Sequence, residues 1–360
     1  MGIFKDMLGA GETLFKNPVA LDYDYVPKLI PYRENEQFRI ANCIKPLFQR
    51  RNGRNLLIYG KPGVGKTVAC KHVLKELEEG AEEAEEITPI YINCWQRNTS
   101  FKILLEICDK LGYRLTHNKK TDELLAVVVK TLNKGSAVLV FDEIDKIDDY
   151  DFLYHFLEQI YRKCIILITN HKEWVIELDD RVKSRLLPEM LEFKPYNLSE
   201  TKGILKQRAD SAFYEGVLDD TAFELITKKT YELQDIRSGL YLLREAGNAA
   251  EDKSSKKISL EHTKTAIEKL DKFKIKKSTE LEDETKTILE LVKQNSGKRI
   301  GDIFKIYQDK GGKLVYKSFQ RKINKLYQGN YIEVAKTKGG KLGNTSIIKY
   351  SKDVKKLTDF

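Results

Sequence analysis

The sequence predicts an α/β protein of the P-loop type: a parallel sheet sandwiched by helices, then a helical lid subdomain, then a C-terminal winged-helix domain. Short runs that are apolar at every position alternate with amphipathic helical periods through the first 195 residues, which is how strands buried on both faces of a parallel sheet read. All eight prolines lie at or before Pro195, and beyond it the pattern turns helical. The last 80 residues read as three helices followed by two short strands, the order of a winged-helix variant of the helix-turn-helix. Domains are therefore expected over residues 1–196, 197–275 and 276–360.

The apolar runs are 55–59, 89–94, 137–141 and 164–169. Two helices are expected between the second and third: one with Phe101, Leu104, Leu105, Cys108 and Leu111 on one face behind the N-cap candidates Thr99 and Ser100, and one from Thr121. Past Pro195, each of Ser199, Asp219 or Asp220, Asp235 and Ser259 precedes an apolar period of 3.6, giving a four-helix subdomain ending near Phe273. The charged stretch 272–280 reads as a linker. Helices are then expected at 284–293, 300–308 and 317–327, and strands at 331–336 and 345–350 around a Gly-rich turn.

At 360 residues the chain is too long for a single small module, and 41% hydrophobic with 10% aromatic residues is enough to build cores. No apolar run approaches the roughly 18 residues of a membrane span, so no membrane partner is expected. Met1-Gly2 resembles a myristoylation start, but Asp6 stands where that signal wants Ser or Thr. Cys43, Cys70, Cys94, Cys108 and Cys164 fall mostly inside apolar runs without a C-x-x-C pair and read as reduced core residues of an intracellular protein. The five histidines show no metal-ligand spacing. The formal charge of +9 lies wholly in residues 281–360, where 18 Lys and Arg face 9 Asp and Glu, while the first 280 residues carry 45 of each sign. A neutral body with a basic end points to a polyanion partner, with a Lys-rich solvated surface as the other reading.

Residues 60–67, GKPGVGKT, follow the first strand and open a helix. That is the setting in which glycines let backbone N–H groups wrap phosphates, so Gly60, Pro62, Gly63, Val64, Gly65, Lys66, Thr67 and Val68 are candidate nucleotide-binding residues. Lys66 would meet the terminal phosphates, and the Thr67 hydroxyl would ligate Mg2+. The third strand runs into Asp142-Glu143, where a second Mg2+ ligand (Asp142) and a water-polarising carboxylate (Glu143) would sit. The fourth strand ends at Asn170, placed to orient an attacking water.

With these pieces in order the chain resembles the AAA+ ATPases, and more narrowly the archaeal members of the origin recognition complex and cell division cycle initiator family. Residues 21–27 (LDYDYVP) and 30–34 (IPYRE) look like the segment that wraps adenine there. Residues 178–186, with Arg185, resemble the arginine-finger box; a helix-end salt bridge is the other reading of Arg185. Phe193-Lys-Pro195-Tyr196, then Ile204, Leu205 and Arg208, resemble the passage from sheet to lid, where Tyr196 and Arg208 lie near the nucleotide or simply pack sheet on lid. Asp235-Ile-Arg237 resembles the sensor 2 box, which makes Arg237 both a nucleotide contact and a catalytic residue. Gln234 stands where that box has Gly, and Tyr32 where His is commoner. The resemblance, spanning about residues 10–355, implies an ATPase (ATP or ADP with Mg2+) of slow, switch-like hydrolysis that binds double-stranded origin DNA and helps recruit or load the replicative helicase. It also implies that Arg185 acts on the nucleotide of a second copy or a paralogue, and a cytoplasmic, nucleoid-associated location. A transcription regulator with a vestigial ATPase, or an accessory ATPase of transposition, is the alternative; the intact set Lys66, Asp142, Glu143, Asn170 and Arg185 argues against the first.

In the last expected helix, Phe319, Ile323 and Leu326 repeat at i, i+4 and i+7 and must face a core. That leaves Lys317, Ser318, Gln320, Arg321, Lys322, Asn324 and Lys325 outside, residue types that read base edges and phosphates. Lys336, Lys338 and Lys341 among the glycines would add a wing. Protein binding is the other use of such a face. Arg114, Lys119 and Lys120 form a second basic patch.

Overall fold

The computed structural model describes residues 13–80, 86–279, 283–312, 314–328, 331–337 and 345–350. The chain divides into two units, Met1–Glu268 and Lys269–Phe360.

The first unit is built on five strands, β1 (Leu56–Tyr59), β2 (Ile87–Asn93), β3 (Ser136–Asp142), β4 (Lys163–Thr169) and β5 (Glu189–Glu192), all parallel in the order β2-β3-β4-β1-β5. β3 is buried at every residue, as its unbroken apolar run requires. The sequence reading contains no β5. That strand, Glu-Met-Leu-Glu, sits at the sheet edge with only Leu191 fully buried, so it lacks the apolar run that marks its neighbours.

One apolar layer, under α3 (Ser100–Lys110), α4 (Thr121–Leu132) and α5 (Asp151–Gln159), centres on Phe141, Phe152 and Phe156, with ring centroids 4.9 Å apart for the first pair and 5.7 Å for the last. The opposite layer lies under α1 (Glu34–Ile44) and α2 (Lys66–Glu79). Two shorter helices, α6 (Trp174–Glu177) and α7 (Asp180–Leu186), follow β4. All five cysteines are buried and free.

The helical subdomain comprises α8 (Leu198–Ala212), α9 (Asp220–Leu233), α10 (Ile236–Asp252) and α11 (Leu260–Thr279). Its first cap is not Ser199. Asn197 accepts from the Glu200 amide at 2.9 Å while Glu200 accepts from the Asn197 amide at 2.8 Å, a reciprocal capping box that satisfies two orphan donors at once. Residues 272–279, read as linker, are helical, because α11 continues through them. The N-terminal segment docks on this subdomain: the tilted rings of Phe15 and Phe213 have centroids 5.0 Å apart, Asp22 pairs with Arg244 at 3.1 Å, and Arg208 donates to the Asp22 and Tyr25 carbonyls at 3.0 and 3.3 Å.

In the second unit, α12 (Asp283–Gln294), α13 (Ile300–Asp309) and α14 (Tyr316–Gln328) accompany an antiparallel sheet ordered β6-β8-β7. Its strands are β6 (Lys298–Arg299), β7 (Ile332–Thr337) and β8 (Thr345–Tyr350). The sequence reading lacks β6, whose two exposed residues, both basic, carry no apolar signal. Phe319, Ile323 and Leu326 are buried among Ile288, Val292, Ile303 and Tyr307, as their helical spacing demands.

Candidate nucleotide site

The parallel register brings the carboxyl ends of three strands together: Tyr59 lies opposite Thr169, and Asp142 opposite Ile168. Ligands of open α/β sheets bind at this edge. Here a cavity of about 490 Å³ opens, within the range of small-molecule sites. Its walls include Pro62, Gly63, Gly65, Lys66, Thr67 and Val68 from the loop and start of α2, Asp142 and Glu143 after β3, Asn170 after β4, Tyr196 and Arg208 toward the lid, and Arg237 at the start of α10. Tyr23, Tyr25, Val26, Pro27, Ile30 and Pro31 supply an aromatic and apolar side.

Two candidates stand behind the wall. Val64 is buried in the core beneath the loop, and the Gly60 carbonyl accepts from Lys66 Nζ at 2.7 Å.

The loop needs its glycines for close approach. Gly63 has φ 77°, and a Cβ there would lie 1.9 Å from Asp235 Oδ1; Gly65 has φ 88°, and a Cβ would lie 2.6 Å from Tyr196 Oη. Any side chain would push α10 and Tyr196 off the loop.

Lys66 Nζ also donates to the Lys61 carbonyl and to Asn170 Oδ1, each at 2.9 Å. Burial pushes its pKa down to about 8, against the opposing pull of Asp142 and with help from the Arg237 charge. A buried ammonium with incomplete charge compensation is a receptor for phosphate.

Thr67 Oγ1 donates to Asp142 Oδ2 at 2.6 Å, Tyr91 Oη donates to the same oxygen at 2.8 Å, and the Glu143 amide donates to Asp142 Oδ1 at 2.8 Å. Asp142 is thus aimed by three donors. A hydroxyl and a carboxylate meeting in this way are the hard oxygen donors that suit Mg2+, which takes few protein ligands beside waters and phosphate oxygens. No group of three or more His, Cys, Asp or Glu side chains able to hold a metal occurs among the described residues.

Glu143 adopts φ 54°, a left-handed conformation uncommon outside glycine, asparagine and aspartate. The turn directs its carboxylate into the cavity, where burial and then the charges of Asp142 and Asp145 raise its pKa. A carboxylate held in this way is a better proton acceptor than a solvated one. The Arg237 guanidinium pairs with Asp235 at 3.2 Å, and Gln234 at φ 52° occupies the left-handed position that glycine would take.

The comparisons agree with this fold. A family model described as an AAA domain matches residues 49–172, and one described as a Cdc6 AAA+ ATPase-type lid domain matches residues 202–268. An ORC1-type DNA replication protein 1 of Archaeoglobus fulgidus is 31% identical, covering 99% of this chain and 92% of its own length. The chain belongs to the ORC1-type DNA replication proteins. Within that family, ORC1-type DNA replication protein 1 of Sulfurisphaera tokodaii is 35% identical over 73% of this chain and 68% of its own. The structure of the Aeropyrum pernix Orc1 protein in complex with DNA superposes with TM-score 0.71 at 27% identity, covering 93% of both chains. The Aeropyrum pernix ORC2 protein in its ADP form shares the fold, with TM-score 0.68 at 19% identity and 93% and 94% coverage. This ORC1-type chain is accordingly an AAA+ ATPase with a five-stranded parallel core and a Cdc6-type lid.

Other candidates are not among the residues that line the cavity. Arg185 pairs with Glu158, donates to the Arg181 carbonyl at 3.1 Å and lies 5.2 Å over the Tyr154 ring. In the second unit Lys317, Gln320, Arg321 and Asn324 are exposed on α14, and Ser318 and Lys322 are half-buried. Lys325 lies on α14 and Lys336 on β7, whereas Lys338 and Lys341 fall outside the described residues. In the second basic patch Arg114 and Lys120 are exposed and Lys119 pairs with Glu123 at 2.8 Å.

Sequence reasoning gives no role to Tyr91 and places Arg33 only within the 30–34 stretch that resembles the adenine-wrapping segment. Tyr91 sits one strand from Asp142, a pairing visible only once the β2–β3 register is known. No helix among the described residues is long and apolar enough to cross a membrane.

Proposed function

We propose that this ORC1-type chain is an ATP-dependent replication initiator that binds double-stranded origin DNA and helps recruit or load the replicative helicase. One observation carries the reading: Lys66, Thr67, Asp142, Glu143, Asn170 and Arg237 converge on one cavity of a chain whose relatives are named DNA replication proteins. In the working site the loop amides and Lys66 bind the terminal phosphates of ATP, and Thr67 with Asp142 holds Mg2+. The ion, once bound, neutralises phosphate charge. Glu143 takes the proton of a water that Asn170 orients, and Arg237 reports the nucleotide to the lid. Tyr196, Arg208 and the 23–31 segment enclose the base.

The element order of the second unit, three helices and a small antiparallel sheet, supports reading it as a winged helix that presents α14 to duplex DNA. Arg185, released from Glu158, would reach the nucleotide of a second copy or a paralogue, so hydrolysis would be slow until assembly. Such a protein works in the cytoplasm on the nucleoid.

The test is Lys66→Ala. Removing a buried charge-assisted phosphate contact should weaken ATP and ADP binding on the order of 100-fold, read by calorimetry. Unchanged affinity would refute the site.

A further inference from the structure

We infer that Arg33 is a positioning residue that holds the phosphate-binding loop and the lid entrance in register. It lies just before α1, outside the cavity wall, and is 5% exposed. Its Nε and Nη2 donate to the Val64 carbonyl at 3.2 and 3.1 Å, in the middle of the loop. The same Nη2 donates to the Lys194 carbonyl at 2.5 Å, in the crossover from β5 to α8, and Nη1 pairs with Glu36 at 2.7 Å. The guanidinium carbon lies 4.0 Å from the centroid of the Tyr196 ring and 5.1 Å from that of Phe193. Tyr196 in turn sets its hydroxyl against Gly65 and lines the cavity.

One planar fork thereby grips three pieces of chain: the α1 entrance, the loop, and the hinge to the lid. Its two donors to Val64 fix the peptide plane between Val64 and Gly65, and with it the direction of the Gly65 N–H. Loop amides bind phosphate only if they point inward together, so pinning the carbonyl on the outer side pre-orients the amide on the inner side. The hold on Lys194 and the stacking on Tyr196 transmit the loop's position to α8. Lys cannot substitute, because a point ammonium cannot span two carbonyls and a carboxylate in one plane or stack between two rings. The role is geometric, and it rests on reading the cavity as the nucleotide site.

The experiment compares Arg33→Met and Arg33→Lys with wild type and Lys66→Ala in the full chain. It measures ADP binding by calorimetry and backbone amide hydrogen exchange by mass spectrometry. Both Arg33 variants should lose about 10- to 100-fold in ADP affinity, the worth of one or two hydrogen bonds from a charged donor. Exchange should quicken selectively at residues 62–66 and 194–198, with β3 and β4 as protected as in wild type. ADP affinity within twofold of wild type in either folded variant overturns the proposal, as does faster exchange spread evenly over the sheet, which marks a merely structural role. Should Arg33→Met fail to fold, Arg33→Lys decides alone by the same criteria. If Lys66→Ala also retains full affinity, the nucleotide-site reading fails; if only the Arg33 variants retain it, this inference alone fails.

Discussion

The nucleotide cavity and the exposed face of α14 differ in how they store function. Around the cavity the working groups are held by other groups: Lys66 by two carbonyls and Asn170, Asp142 by Thr67, Tyr91 and its own chain. On α14 the buried side is fixed by Phe319, Ile323 and Leu326, whereas Lys317, Gln320, Arg321 and Asn324 project from it exposed. The first arrangement is held by the protein's own hydrogen bonds. The second depends on what docks against it. Changes in the cavity should therefore act steeply on one reaction, and changes on α14 should act additively on one interaction.

Glu143→Gln should produce the largest effect. The amide keeps the shape but cannot accept a proton, so ATP turnover should fall by about 10²- to 10⁴-fold with ATP affinity retained. Single-turnover hydrolysis beside a binding isotherm reads both, and normal turnover would move the catalytic carboxylate elsewhere. Phe319→Ala comes next. It empties a fully buried ring site in contact with Phe304 and Tyr307, at centroid distances of 5.2 and 5.3 Å. It should destabilise the second unit by about 3–5 kcal/mol while nucleotide affinity stays at the wild-type value. Thermal unfolding followed with and without ADP checks this, and a parallel loss of ADP binding would show the two regions to be less independent than the contrast requires.

Arg321→Ala should act more mildly, weakening duplex binding by about 1–3 kcal/mol if the guanidinium reads a base, or lowering the salt slope by about 1 if it meets a phosphate. Titrations on cognate DNA at several salt concentrations separate the two. If neither affinity nor slope moves, α14 is not the recognition element.

The same contrast explains what could be read in advance. That residues 60–67 and the Asp142-Glu143 pair would meet was legible because both are written in consecutive residues beside a strand. Phe319, Ile323 and Leu326 were legible because helical spacing forces a buried face. β5 and β6 were not, since an edge strand with one buried residue and a two-residue strand leave no apolar run. The cap at Asn197 was missed because Ser199 also resembles a cap, and only the return contact from Glu200 decides between them. What Tyr91 and Arg33 hold was illegible for a deeper reason. Their partners lie 51 and 31 residues away, and nothing local in a strand tyrosine or an arginine names a partner at that distance.

Gln234 offers the smallest and most discriminating perturbation. It stands where the resembled box has glycine, and at φ 52° it takes the left-handed conformation at the end of α9 that glycine would take. Lys61 Nζ donates to its side-chain oxygen at 2.8 Å, so the glutamine adds a contact from the phosphate loop to the turn. Two terms oppose each other in Gln234→Gly. Glycine removes the steric cost of the left-handed backbone, about 1–2 kcal/mol, but frees the unfolded chain and gives up the Lys61 hydrogen bond, together about 1–2 kcal/mol. Stability should therefore change by less than about 1 kcal/mol, and ADP affinity by no more than a few fold. A tenfold loss of ADP affinity at unchanged stability would show that the Lys61–Gln234 contact, and not the turn, sets the lid. The cavity would then depend on a solvent-exposed contact of the kind that characterises α14.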